Sequence, residues 1–466
     1  MEHKHVLSVI QHQWLNRFYQ KADYFKRVLL LLCCIVVYLN QIKAQKNGSL
    51  NNADTLPSFT LKQCIDYSLQ HQPSLQQALI NISIAKTTNS ISLSGRLPQV
   101  GITANLTHYF QLPTTLVNQS PVSSGIANTA IPGIGVTQAI FSPSLQYAAK
   151  ASPLYVKQAE QITDSAKIEL VSSVSKSFYS LLLTLEQINV LKEDTIRLAQ
   201  NVRDSYHQYV GGIVDETDYE EATITLNNSM AQLKQANENV TPQYSILKQL
   251  MGFPAEKRFN INFDTALMSK EINIDTAAQL QYENRIELKQ LSTTQSLQRH
   301  LSDYYRSAAL PTLSAFYNYN HEFENKEFSK LFGYAYPNSF IGLTFSVPVF
   351  TGFSRVQNLH RSKLLEKELE WSTVGLKSQI FTEYTTALAN YKSNLYNMNM
   401  LKNNVNLAKR VYFVVTLQYK QGIVAYLNVI TAESNLITAE IGYLNALFQV
   451  LSSKIDLEKA MGTISY

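Results

Sequence analysis

The densest group of chemistry-bearing side chains is acidic: Asp215, Glu216, Asp218, Glu220 and Glu221 lie between positions 215 and 221, directly after Gly212-Ile213-Val214. Carboxylates at this density do one of two things. They hydrate a solvated helix face, or they focus a negative potential that attracts cations where several copies converge. No partner for bond-making chemistry accompanies them. The 9 histidines are scattered, and His3-x-His5 sits ahead of an apolar leader. A P-loop, a dinucleotide fingerprint, H-E-x-x-H and C-x-x-C are all missing from the sequence. Neither metal catalysis nor a histidine-based triad has support, so the chain reads as a non-enzyme with no cofactor and no metal site. A net charge of +5 over 466 residues is too dilute to indicate a nucleic-acid partner.

Charged residues make up only 16% of the chain, against roughly 25% in an average soluble domain. Tyr (27) and Phe (20) are abundant, a composition that suits an outer-membrane protein with interfacial aromatics. The one strongly apolar run, VLLLLCCIVVY at 28–38, follows Lys26-Arg27. At about 11 residues it is shorter than the roughly 20 that a spanning helix requires. Residues 1–44 are therefore expected to be a secretory signal peptide with a long n-region. Cys33 and Cys34 would leave with it, so Cys64 would be the sole cysteine of the mature chain, with no intrachain disulfide possible. Cys64 reads as an ordinary apolar helix residue.

The elements that carry the acidic run occur twice. His71-Gln72-Pro73-Ser74-Leu75 matches Asn284-Arg285-Ile286-Glu287-Leu288, and Arg96-Leu97-Pro98 matches Ala309-Leu310-Pro311. Gln138-Ala139-Ile140-Phe141-Ser142 matches Val347-Pro348-Val349-Phe350-Thr351. Tyr209-Val210-Gly211-Gly212-Ile213-Val214 matches Tyr419-Lys420-Gln421-Gly422-Ile423-Val424, and Met251-Gly252 matches Met461-Gly462. Offsets of about 209 to 213 in one constant order indicate an internal repeat. The expected organisation is a first repeat at 45–252, a linker at 253–275 and a second repeat at 276–466.

Each repeat reads as helix, strand, strand, long helix, turn, helix. In the first strand, at 99–111, Val100, Ile102, Ala104 and Leu106 share one face, and Gly101, Thr103, Asn105 and Thr107 share the other. The corresponding strand of the second repeat sets Leu313, Ala315, Tyr317 and Tyr319 against Thr312, Ser314, Asn318 and Asn320. The second strands line up Ile134, Val136 and Ile140, then Ile341, Leu343, Phe345, Val347 and Val349. A period of two over about ten residues is what a transmembrane barrel strand requires; a soluble hairpin with one buried face is the plainer alternative. Four strands cannot close a barrel, and open edges are not tolerated in lipid, so a membrane barrel would have to be shared between chains. After the strands, 145–209 has Pro153 and no glycine, which allows roughly 100 Å of helix. Its later part carries a 3.5-residue stripe: Thr184, Ile188, Leu191, Thr195, Leu198, Val202, Ser205 and Tyr209. The second repeat carries the same stripe as Asn394, Met398, Leu401, Val405, Ala408, Tyr412, Val415 and Tyr419.

In these features the sequence resembles the TolC-type outer-membrane efflux family over 56–464. The resemblance rests on Phe59-Thr60-Leu61-Lys62-Gln63-Cys64-Ile65, on Val347-Pro348-Val349-Phe350-Thr351-Gly352, and on the two Gly-Ile-Val turns, in order and in duplicate. It implies a mixed, mainly α fold: a homotrimer whose chains each give four strands to a twelve-stranded transmembrane β-barrel, continued by a long periplasmic α-helical barrel. It also implies a periplasmic adaptor and an inner-membrane pump (RND, ABC or other) as partners, a place in the outer membrane reaching into the periplasm, and passive conduction in efflux or type I secretion. The family's adaptor-docking tip falls on Gly212, Ile213, Val214, Gly422, Ile423 and Val424. An acidic ring that narrows the tip in well-known members would lie at Asn428 and Thr431, so it is missing here. Asp218 and Glu221 occupy the matching positions of the first repeat, which makes Asp215, Asp218 and Glu221 the candidate entrance ring. An arginine that locks the family's closed tip corresponds to Val424. Two competing readings are a structural coiled-coil envelope protein without conductance and a periplasmic adaptor; the first leaves the strand pairs unexplained, and the second needs a single hairpin in a lipoyl-like domain.

Overall fold

The structure is a computed structural model that describes residues 57–117, 119–262, 272, 274–275 and 279–466. The expected leader at 1–44 and part of the expected linker lie outside the described residues. The chain enters through β1 (Ser58–Phe59), and Thr60 then caps α1 (Leu61–His71). Thr60 Oγ1 accepts from the Gln63 amide at 3.4 Å, while Thr60 N–H donates to Gln63 Oε1 at 2.9 Å, a reciprocal pair that satisfies two otherwise free donors. Pro73 opens α2 (Pro73–Ser94) at a position where no amide hydrogen is needed. The order continues with β2 (Gln99–His108), β3 (Thr114–Val117), β4 (Ser120–Ser123), β5 (Asn128–Phe141), α3 (Pro143–Val210) and α4 (Glu216–Met251). After β6 (Asn260–Ile261) come α5 (Ile286–Ser307), β7 (Thr312–Asn325), β8 (Ala335–Ser346), α6 (Ser354–Lys420) and α7 (Tyr426–Met461).

β2, β5, β7 and β8 form one antiparallel sheet in that spatial order. Its register sorts the alternation of the sequence into rows. Val100, Val136, Tyr317 and Ile341 lie side by side, and Ile102, Ile134 and Tyr319 form the next row of the same face. Gly101, Gly135 and Asn318 form one row of the opposite face, and Thr103, Gly133, Asn320 and Asn338 form another. Two expectations need correction. β2 ends at His108 rather than at 111; the short hairpin β3–β4, whose strands are too brief to show a lasting alternation, follows it. β8 ends at Ser346, so Val347 and Val349 lie past the strand; Pro348 has no amide hydrogen to donate to a ladder.

The two long helices span 68 and 67 residues, about 100 Å each. The 145–209 expectation corresponds to α3, with Pro153 near its start. Thr184, Ile188, Leu191, Leu198 and Ser205 of its stripe are buried, and Tyr209 is at the exposed end. The main core joins Cys64, Leu75, Phe178, Leu181, Leu247, Met251, Tyr391, Val450 and Leu457. Burial pushes the Cys64 thiol up to about 12, in keeping with an inert packing residue. At this end of the helices one contact recurs. Gly252 (φ +66°) would place a Cβ 2.5 Å from the His71 carbonyl oxygen, and Gly462 (φ +70°) would place one 3.0 Å from Asn284 C. The glycine that ends each returning helix is thus pressed onto the residue that precedes each Gln72-Pro73 or Arg285-Ile286 helix start.

Candidate functional site

α3 and α6 each end in the same backbone device. Ile213 N–H donates to Gln208 O at 2.8 Å and Gly212 N–H to Tyr209 O at 2.9 Å. Ile423 N–H donates to Gln418 O at 2.9 Å and Gly422 N–H to Tyr419 O at 2.9 Å. This is the Schellman closure, which needs a left-handed residue at its penultimate position; Gly212 (φ +69°) and Gly422 (φ +71°) supply it. Ile213 and Ile423 then stand 75% and 69% exposed, while Val214 and Val424 are half-buried. Tyr419 Oη donates to Gln208 Oε1, so the two turns lie at one end of the molecule. Beneath them, Val202 of α3, Ala222 of α4, Tyr412, Val415 and Tyr419 of α6, and Tyr426 and Val429 of α7 pack as one cluster.

The acidic run starts α4. Asp215 is its N-cap residue, and Glu216 and Asp218 occupy its first turn, where the helix dipole favours negative charge. Asp215, Glu220 and Glu221 are exposed and Asp218 is half-buried. Burial, and next the charge of Asp215, push the Asp218 carboxyl above the usual aspartate range. Asp218 in turn acts on the phenols of Tyr419 and Tyr426, both raised mainly by burial. The matching residues of α7, Asn428 and Thr431, are exposed and neutral, and Thr431 Oγ1 donates to Leu427 O at 2.9 Å. The charge at this end is one-sided.

A second group of residues, not singled out from the sequence, ties the α3/α4 hairpin to the α6/α7 hairpin. Arg197 Nε donates to Glu433 Oε1 at 2.9 Å, and Asn201 Nδ2 donates to Glu433 Oε2 at 2.8 Å. Arg197 also pairs with Asp194, and its guanidinium lies 5.1 Å from the Tyr412 ring centroid. Asp194 and Glu433 each have 1% of their side chains exposed. The signal was present in α7, where Glu433 sits on the buried face between Val429 and Leu436. A buried carboxylate demands a partner, but the sequence does not say which one.

At the other end, the sheet separates two surfaces. Asn320 and Asn318 lie over glycines: a Cβ on Gly133 would sit 2.1 Å from Asn320 Oδ1, and one on Gly135 would sit 2.9 Å from Asn318 Oδ1. The other face exposes Val100, Ile102, Ile341, Leu343 and Phe345. Among the described residues no helix is long and apolar enough to cross a membrane, and no group of His, Cys, Asp and Glu is arranged to hold a metal ion.

Known proteins share this architecture. Residues 64–253 match the family described as outer membrane efflux protein. No curated protein sequence matches the chain. The outer membrane protein VceC of Vibrio cholerae superposes at TM-score 0.71 with 16% identity, covering 86% of this chain and 96% of that one. The CmeC outer membrane channel of Campylobacter jejuni superposes at 0.69 with 20% identity, covering 86% and 85%. The open MtrE outer membrane channel of Neisseria gonorrhoeae superposes at 0.68 with 18% identity, covering 90% and 94%. The family match lies in the first half of the chain, and the fold of these outer membrane channels runs through both halves.

Proposed function

We propose that three copies of the chain form a channel-tunnel that passively conducts substrates outward, delivered by a periplasmic adaptor and an inner-membrane pump. One observation carries this reading: a four-stranded antiparallel sheet with an exposed apolar face and two long free edges, β2 and β8. Unpaired edge groups are costly in lipid, and four strands are too few to curl shut. The four strands alternate in direction, so β8 of one copy meets β2 of the next antiparallel, and the pattern can repeat around a closed ring. Three copies make twelve strands. The apolar rows then face lipid, and the Asn- and Gly-rich rows line the pore.

The matched landmarks and the recurring Gly252 and Gly462 contacts support a duplicated unit at 45–252 and 276–466. The long helices would form the periplasmic tunnel. The turns at Gly212, Ile213, Val214, Gly422, Ile423 and Val424 present two exposed isoleucines at its end, a shape suited to an adaptor. Asp215, Asp218 and Glu221 would form the entrance ring. No bond making is required of any of these residues. The test is the mass and conductance of the purified protein. Light scattering in detergent should give a trimer, and planar bilayers should show discrete conductance steps. A stable monomer with native far-UV circular dichroism, or a trimer that never conducts, overturns the proposal.

A further inference from the structure

Two buried carboxylates share one arginine where the hairpins meet, and they are not equally served. Glu433 has both oxygens occupied, by Arg197 Nε at 2.9 Å and by Asn201 Nδ2 at 2.8 Å. Asp194 has one oxygen on Arg197, and its Oδ2 is buried with no hydrogen-bond partner. The charged groups acting on Asp194 are Arg197 on its own helix and Glu433 and Glu440 on α7. α6 contributes Lys409, which is 3.0 Å from Glu440, and the Tyr412 ring over Arg197. Glu440 raises the Asp194 carboxyl despite its pairing with Lys409, so ionised acids would outnumber the single guanidinium in a site almost closed to solvent. An unpaired oxygen in such a place is where a proton relieves the excess charge.

We propose that Asp194 binds a proton, and that this proton fastens the α3/α4 hairpin to the α6/α7 hairpin near their turns. Asp194 is then neutral in the closed contact, and Glu433 alone carries the charge that Arg197 and Asn201 satisfy. Burial lifts the Asp194 carboxyl from 3.8 to about 6; Arg197 opposes that rise, and Glu440 and Glu433 add to it. The folded value is raised, so ionised Asp194 weakens the contact. The weakening is absent below 3.8, grows as pH rises, and is complete above about 6. Separation of the helices, which returns Asp194 to water, is favoured in the same direction. Two pH units of linkage correspond to a change of roughly a hundred-fold in the opening equilibrium. The inference does not depend on conduction; it concerns how tightly two hairpins of one chain are held.

The experiment is hydrogen–deuterium exchange of the full-length protein in detergent from about pH 4 to about pH 8, corrected for intrinsic exchange chemistry. Peptides covering 190–205 and 426–440 should open more readily with rising pH, by up to the hundred-fold above. Asp194→Asn should remove this dependence and keep both segments protected at the alkaline end. Glu440→Gln, which removes a like charge, should move the midpoint to lower pH. A wild-type response that is flat after correction, or an Asp194→Asn protein that keeps the wild-type response, overturns the proposal. If Asp194→Asn does not fold, Glu440→Gln decides: an unmoved midpoint refutes it and a lowered one supports it.

Discussion

α3 and α6 are nearly the same length, each follows a sheet strand, and each ends in the same glycine turn, yet they live in different surroundings. α3 is buried almost without a break from Leu170 to Leu182 and again at Ile188, Leu191, Asp194, Leu198 and Ser205. α6 buries only Ser362, Ile380, Ala387, Tyr391 and Met398. It exposes Leu364, Trp371, Phe381, Met400, Leu407, Val411 and Val414. Several of these recur at intervals of seven or at three and four, the spacing of a helical seam. α3 is enclosed by α2, α4, α5 and α7, whereas α6 is flanked by α5 and α7. The seam that α3 completes within one chain stays uncovered on α6, and it is the face that the proposed trimer would close.

The sharpest way to break this comparison is to delete one aromatic from each helix. Phe178 of α3 is 0% exposed, and Phe381 of α6 is 54% exposed. Phe178→Ala should cost about 3–5 kcal/mol of protomer stability, read as loss of folded protein at ordinary temperature or a greatly lowered denaturation midpoint. Phe381→Ala should leave the secondary structure and the isolated chain's fold intact and weaken only the oligomer, seen as dissociation on dilution by light scattering. Equal losses of protomer stability from both would mean that the α6 face packs within its own chain.

The sheet offers a second pair, one residue apart. Leu343 pairs with Ala315 on the apolar face, and Thr344 pairs with Ser314 on the other. Leu343→Arg should impair membrane assembly, because an arginine at mid-bilayer costs roughly 2–4 kcal/mol. Thr344→Arg should assemble normally and alter the pore. Comparing the amount of assembled protein in outer-membrane fractions reads the difference, and equal yields would reverse the assignment of faces.

Much of this architecture was legible in the sequence because it is written in local periods. Val100, Ile102 and Leu106 alternate with small polar residues, and Thr184 to Tyr209 repeats every seven, so faces and stripes follow from spacing alone. The same local reading overran the end of β8: Val347 and Val349 continue the alternation, and Pro348 between them stops the ladder. The contact between hairpins was not legible. Arg197 and Glu433 lie in different halves of the chain, and no period links a base in one helix to an acid in another. Nor does a run of carboxylates say how its members divide. Glu221 is exposed, whereas Asp218 is half-buried toward Tyr419 and Tyr426.

The two turns sharpen the comparison at the level of backbone strain. Gly422 and Gly212 have open space around the position a Cβ would take, so only the left-handed φ penalises a substitution. Gly422→Val should cost about 1–2 kcal/mol locally and lower adaptor-dependent export while trimer yield and ion selectivity stay unchanged. The matching Gly212→Val protein should do the same if both turns dock, and should export normally if only the α6/α7 turn does.

The smallest change in stability should come from the acids of α4, where the effect is on charge alone. Asp218→Asn with Glu221→Gln removes two negative charges per copy beside a tip that keeps neutral Asn428 and Thr431 on its other hairpin. If the three copies converge, the remaining charge is too dispersed to focus a field. Cation selectivity in planar bilayers, and block by trivalent cations, should then fall together, with the denaturation midpoint unchanged. The single variants separate the roles. Glu221→Gln removes an exposed charge and Asp218→Asn a half-buried one, so each should account for part of the loss at neutral pH. Asp218, raised by burial and by Asp215, sheds its charge at a higher pH than an ordinary aspartate, so wild-type selectivity should begin to decline earlier on acidification than that of Asp218→Asn. Full selectivity and block in the double variant would make the run a solvated outer face of α4, its negative charge serving only the helix N-terminus.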